Sequence, residues 1–184
     1  MNRGDNYMLL NLSSVLSEQH IPVDETVSCS IEEFRLRGSS YPVISSSDAH
    51  IIVEYAGGRK LRVKGTCSLV IEIPCDRCLK PVPVDFDLDF EREVEPGVEG
   101  EASDETDKLD ENSYIDGYHL DVDRLLYNEI LVGWPMKVLC SESCKGICNV
   151  CGQNLNEGTC DCEDTGVDPR MSVIRDVFKN FKEV

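Results

Sequence analysis

The sequence predicts an α+β protein: an antiparallel β-sheet, two amphipathic helices and a cysteine-rich module of zinc-knuckle type. Three observations predict it. Apolar residues alternate over 60–73 and again over 82–91, the period of a half-buried strand. They recur at near-helical spacing over 122–130 and 171–181. Between those two helical stretches, six cysteines fall within 23 residues, from Cys140 to Cys162. Strands grouped ahead of helices, rather than alternating with them, indicate α+β.

Each element follows from its local pattern. Residues 1–26 read as an N-terminal lead-in with one apolar patch, Tyr7 to Leu12. Strand texture begins at Val27, and 27–36 partly alternates. Tyr41 to Ile44 and Ile51 to Tyr55 are short and β-rich, and Gly57-Gly58 makes a turn. Leu61, Val63, Cys67, Leu69, Ile71 and Ile73 then share the odd positions of a long strand, with Gly65 expected as a bulge or bend. Pro74 and Pro81 bracket the break that holds Cys75 and Cys78. Val82, Val84, Phe86, Leu88 and Phe90 form an apolar face opposed by Asp85, Asp87, Asp89 and Glu91. Residues 95–113 are acidic and Gly/Ser-containing, the composition of a loop. Asp121 is the expected N-cap of a helix carrying Val122, Leu125, Leu126 and Ile130, which ends before Gly133 and Pro135. Asp168 and Pro169 open a second helix bearing Met171, Ile174, Val177, Phe178 and Phe181. The chain thus divides into the lead-in 1–26, a β core with acidic loop and helix over 27–135, and the cysteine module with its helix over 136–184.

Composition bounds the setting. The 184 residues suit one domain, or one with a small appendage, and 41% hydrophobic content is that of a globular chain. The N-terminus lacks a basic start followed by an apolar stretch, and no run approaches a membrane span. A cytoplasmic protein with no membrane contact is therefore expected. There, disulfides are rare and clustered cysteines serve as metal ligands.

The net charge of −17 is uneven. Residues 85–123 hold 16 acidic side chains against Arg92 and Lys108, leaving −3 for the rest of the chain. Such a stretch attracts basic proteins and repels bulk nucleic acid. A local basic set remains: Arg59, Lys60, Arg62, Lys64, Arg77 and Lys80. It reads equally as an RNA- or partner-binding face and as an ordinary solvated hairpin.

The six-cysteine run is the sharpest chemical signal. A segment rich in Gly, Asn and Ser buries little apolar surface, and four thiolates around a zinc ion replace a core. Cys148-x-x-Cys151-Gly152 has knuckle spacing, and Cys160 and Cys162 complete the preferred set, with Cys140 and Cys144 as alternates. Neither His20, His50 nor His119 lies in the run, so a closed structural site is preferred to a hydrolytic one. Cys75 and Cys78 form a second CxxC between strands. Two readings stay open there: half of a second zinc site completed by Cys140 and Cys144, or, preferred, two reduced thiols under a tight turn with Arg77 as the useful surface group. Redox catalysis is disfavoured, because a thioredoxin-like pair opens a helix. Cys29 and Cys67 lie in strand patterns and read as small buried hydrophobes. Nothing resembles a phosphate loop or a catalytic triad, so neither an enzyme nor a small-molecule substrate is expected.

The elements CDRCLKPV, LDVDRLLYNEILVGWPMKVLC, CKGICNVCGQNLNEGTCDCE and DPRMSVIRDV occur in this order. Together they resemble the YceD family, the bacterial large ribosomal RNA subunit accumulation proteins, over about residues 60–182, in the branch with C-terminal cysteines. The resemblance implies a non-enzymatic part in 23S rRNA accumulation and large-subunit biogenesis, with precursor rRNA or a basic ribosomal protein as partner. It places Cys75, Arg77, Cys78 and Leu79, then Gly146, Gly152, Asn154 and Asn156, then Asp168, Pro169 and Arg170 at motif positions without assigning them roles. The alternative from the residues themselves is a zinc-dependent, redox-sensitive chaperone.

Overall fold

The computed structural model describes residues 8–58, 60–96 and 114–162. The second predicted helix, Arg59 and nearly all of the 95–113 segment lie outside the described residues. Contacts divide the chain into two compact units, one of 1–73 with 82–136, the other of 74–81 with 137–184. The second grouping joins the Cys75–Cys78 turn to the cysteine module, which the linear division at residue 136 separates.

The first unit contains β1 (Leu9–Asn11), α1 (Ser13–Leu16), β2 (Val23–Ser28), β3 (Glu33–Leu36), β4 (Ser39–Ser46), β5 (Asp48–Gly57), β6 (Lys60–Pro74), β7 (Pro81–Val94), β8 (Ile115–Asp116), β9 (His119–Asp121) and α2 (Val122–Val132). Strand structure therefore already occurs within the 1–26 lead-in: β1 pairs antiparallel with β9 in a three-stranded sheet. The larger, six-stranded sheet runs β2-β5-β6-β4-β3, with β7 also paired to β6. β6 organises it. Its first half pairs with β5 and its second with β4.

The alternation on β6 and β7 is the reason for the core. Leu61, Val63, Cys67, Leu69, Ile71 and Ile73 are all buried, as are Phe86, Phe90 and Val94 on β7. Gly65 is not a bulge: pairing runs unbroken through Ile51↔Gly65, and the irregularities fall at Tyr55/Gly57 and Val43/Ser45. A Cβ at Gly65 would stand 2.3 Å from the Phe90 ring and 2.8 Å from Ile51 Cδ1. Glycine is there because an aromatic ring occupies the space of a side chain.

α2 forms as its pattern dictates. The Asp121 carboxylate accepts the Arg124 N–H at 2.9 Å, and Val122, Leu125, Leu126 and Ile130 are buried. The helix is tied to β7 by a two-pronged ion pair, Arg92 to Glu129 at 2.9 and 3.0 Å. Trp134, read from sequence only as part of a bend, stacks on Phe34 at 4.9 Å and also meets Tyr41 and Phe86.

Candidate metal centres

Eight cysteines converge into two sets of four within the second unit. The first is Cys75, Cys78, Cys140 and Cys144; the second is Cys148, Cys151, Cys160 and Cys162, with the sulfurs of each set within 4.8 Å of one another. The Sγ atoms of Cys78 and Cys140 are 3.5 Å apart, and those of Cys75 and Cys144 are 3.9 Å apart. Sulfurs at 2.3 Å from one tetrahedral zinc ion would stand roughly 3.8 Å apart. The second set is the preferred ligand set of the sequence. The first joins that set's two alternates to the separate CxxC, so the reading with four converging sulfurs fits the geometry better than two isolated thiols.

The local chain explains the convergence. Each CxxC closes the same turn: Leu79 N–H donates to Cys75 O, and Gly152 N–H to Cys148 O, both at 2.9 Å. The residue after the second cysteine is left-handed in both, with φ of 60° at Leu79 and 75° at Gly152. The Cys75 turn is strapped to the module. Asp76 N–H donates to Val138 O at 2.9 Å, Val138 N–H returns to Asp76 Oδ2 at 2.8 Å, and Ile147 N–H reaches Arg77 O at 3.1 Å. Gly146 has φ of 82°, and a Cβ there would sit 3.1 Å from the Arg77 carbonyl oxygen. Around the second set, Cys148 N–H donates to Gln153 O and Leu155 N–H to Gly146 O, closing a small hairpin. The Cys75–Cys78 step begins no helix, whereas a thioredoxin-like pair opens one.

Donors aim at sulfur. Val150 N–H points to Cys148 Sγ at 3.4 Å, and Asn156 Nδ2 to Cys144 Sγ at 3.3 Å. Asn156 also accepts the Lys145 N–H at 2.8 Å and is held by Asn154 Oδ1. Its supporting role was invisible in the sequence, although Asn154 and Asn156 stand at family motif positions. The four thiols of a set perturb one another in opposite directions. Burial pushes the Cys75 thiol up, but the N–H groups of Cys140, Arg77 and Cys78 outweigh it and bring it down to about 6. Its neighbour Cys140 is pushed up to about 12 by Cys78 and Cys144. Likewise, the Cys151 and Val150 N–H groups bring Cys148 down to about 6, while Cys151 pushes Cys162 up to about 12. A divalent cation resolves the conflict by stabilising all four thiolates.

The described members of the basic set divide between the two units. Lys60, Arg62 and Lys64 lie on β6 in the first unit; Arg77 and Lys80 belong to the second. Lys64 pairs with Glu54 at 2.9 Å, Arg62 with Glu93 at 2.8 Å and Glu91 at 3.1 Å, and Lys60 with Glu95 at 3.8 Å. Arg77 Nη1 donates to the Cys144 carbonyl at 2.8 Å. Cys29 and Cys67 form a further thiol contact outside both sets. Cys67 is buried as expected, and its hydrogen bond brings half-buried Cys29 down to about 6.

A β-rich unit and a small unit organised by two four-sulfur sets define a two-centre cysteine protein. A family model described as large ribosomal RNA subunit accumulation protein YceD matches residues 63–178, from early β6 through both cysteine sets. The chain belongs to this YceD family. A Zea mays protein, large ribosomal RNA subunit accumulation protein YCED homolog 1, chloroplastic, is 26% identical over 146 residues, covering 65% of this chain and 50% of that protein. The chain thus spans about half the length of this curated relative. No solved structure matches. Among the described residues, no helix is long and apolar enough to cross a membrane.

Proposed function

We propose that this chain is a non-enzymatic factor that promotes accumulation of 23S rRNA and biogenesis of the large ribosomal subunit, with zinc in both cysteine sets. The carrying observation is the family match, which spans both sets. Four sulfurs per site leave a tetrahedral ion no open position, which suits a staple rather than a hydrolytic centre. The first unit favours a basic ribosomal protein over precursor rRNA as its direct partner. Lys60, Arg62 and Lys64 are matched by carboxylates, whereas Asp85, Asp87 and Asp89 on exposed β7 positions have no cationic partner among the described residues. Complementary charge speeds and orients such an encounter. Depleting the protein in its own cells and measuring 23S rRNA tests the function: a fall relative to 16S rRNA is expected, and an unchanged ratio overturns it. Crosslinking followed by mass spectrometry and RNA sequencing identifies the partner.

A further inference from the structure

The two CxxC turns share a backbone but not a residue. At the left-handed position the second turn has Gly152, the residue that adopts it without strain, while the first has Leu79. A leucine held there costs on the order of 1 kcal/mol. Packing does not compensate, because Leu79 is 64% exposed. A strained backbone carrying an exposed apolar side chain is a mark of a contact surface.

Leu79 lines a cleft of about 620 Å³ in the second unit, with Arg77, Lys145 and Val150 also on its wall. Val150 is 63% exposed. Lys145 makes no ion pair among the described residues. The carboxylate on the wall, Asp76, is engaged by the Val138 N–H. Cys148, Cys160 and Cys162 of the second set also line the cleft, and Arg77 Nη1 already donates to the Cys144 carbonyl. The cation without an ion pair is therefore Lys145, supported by the remaining N–H groups of Arg77; with two projecting aliphatic groups it makes a complement for an anion joined to a flat apolar body.

We propose that this cleft takes an unpaired nucleotide of single-stranded RNA, its phosphate on Lys145 and Arg77 and its base against Leu79 and Val150. The proposal rests on the reading of the chain as an rRNA factor and deepens it. The net charge of −17 repels bulk RNA, and filled four-cysteine sites remain anionic. Contact is accordingly local: one nucleotide turned out of its strand brings one or two phosphates, and the base supplies the remainder.

The test is fluorescence anisotropy with zinc-loaded full-length protein and a labelled twelve-nucleotide oligouridylate, with a duplex of equal length as comparison. The single strand is expected to bind better than the duplex, with a salt slope of roughly −0.7 per phosphate contacted. Lys145→Glu should weaken binding about tenfold, as loss and reversal of a phosphate contact imply. Leu79→Gly should weaken it about fivefold, within the range of one base-stacking contact, while metal content holds and the thermal midpoint holds or rises. That opposition of stability and binding separates a contact role from a structural one. Ile44→Ser, on an exposed strand position of the first unit, should change nothing. Absence of single-strand binding at low salt, indifference to both cleft variants, or preferential binding of a labelled Asp/Leu-rich peptide would each overturn the proposal. Complementation of depleted cells keeps the two readings apart. If the wild type restores 23S rRNA and the Leu79→Gly/Lys145→Glu double variant does so equally, the cleft proposal fails alone. If the wild type restores nothing, the underlying function fails.

Discussion

Arg77 Nη1 donates to the carbonyl oxygen of Cys144 at 2.8 Å, across 67 positions of sequence. The side chain between two cysteines of the first turn thus grips the backbone of a third member of the same set. A middle residue of the CxxC helps to place a distant cysteine, so turn and module behave as one object.

Metal counting tests that unity. Protein purified under reducing conditions should carry two zinc ions per chain by native mass spectrometry. Cys75→Ser with Cys78→Ser should lower the count to one, and Cys148→Ser with Cys151→Ser should do the same. A count of one in the unaltered protein, unchanged by the first pair, would show that the Cys75 turn holds no ion.

Chelation should act on one unit. Removing zinc should raise amide exchange over 74–81 and 137–162 and leave β5, β6 and α2 protected, because the first unit has its own apolar core. Loss of protection throughout β6 would mean that metal holds the whole fold.

Gly65 should be intolerant of any side chain. Gly65→Ala drives a methyl into Phe90 and Ile51 and should destabilise by about 1–3 kcal/mol, the usual cost of overpacking. Adding Phe90→Leu should recover part of the loss. Urea midpoints read both effects, and an unshifted midpoint for Gly65→Ala would contradict the close approach.

Cys29 should be the thiol outside the metal sets that reacts at low pH. With its thiol brought down to about 6 by Cys67, it is largely thiolate at pH 7, and its reactivity should fall as pH drops through 6. Cys67 is pushed up and stays protonated. Iodoacetamide labelling of zinc-loaded protein across pH, mapped by peptide mass spectrometry, checks the order. Preferential labelling of Cys67 would reverse it.

Oxidation separates the factor from a redox chaperone. Peroxide treatment should eject zinc as the close sulfurs pair, but the product should not suppress aggregation of an unfolded client. Strong suppression, reversed by reductant, would favour the chaperone reading.

The legible parts of the molecule were those fixed by near neighbours. Period-two patterns on β6 and β7 revealed their buried faces, and Asp121 marked the start of α2. Cys148, Cys151, Cys160 and Cys162 were readable as one set because 15 residues contain them. The first set was left open because Cys75 and Cys144 are 69 positions apart, and spacing carries no information about tertiary return. Gly65 was misread for a related reason: a glycine in a strand signals a bulge or a close approach, and Phe90 is 25 positions away. The ion pairing of the basic set was not legible either, because the carboxylates that match Lys60 and Arg62 come from the following strand and its end.

The long separation within the first four-sulfur set gives the molecule a timetable. Cys75 and Cys78 are synthesised well before Cys140 and Cys144, while the second set is made within 15 residues. A growing chain presents a two-sulfur half-site at the end of β6 through the whole of β7 and α2, and two sulfurs hold zinc far more weakly than four. The ion can seat firmly only after translation has passed Cys144. Occupancy of that site would therefore report that both halves are present: a chain interrupted between them carries Cys75 and Cys78 without Cys140 and Cys144, chemically distinguishable from one that holds all four.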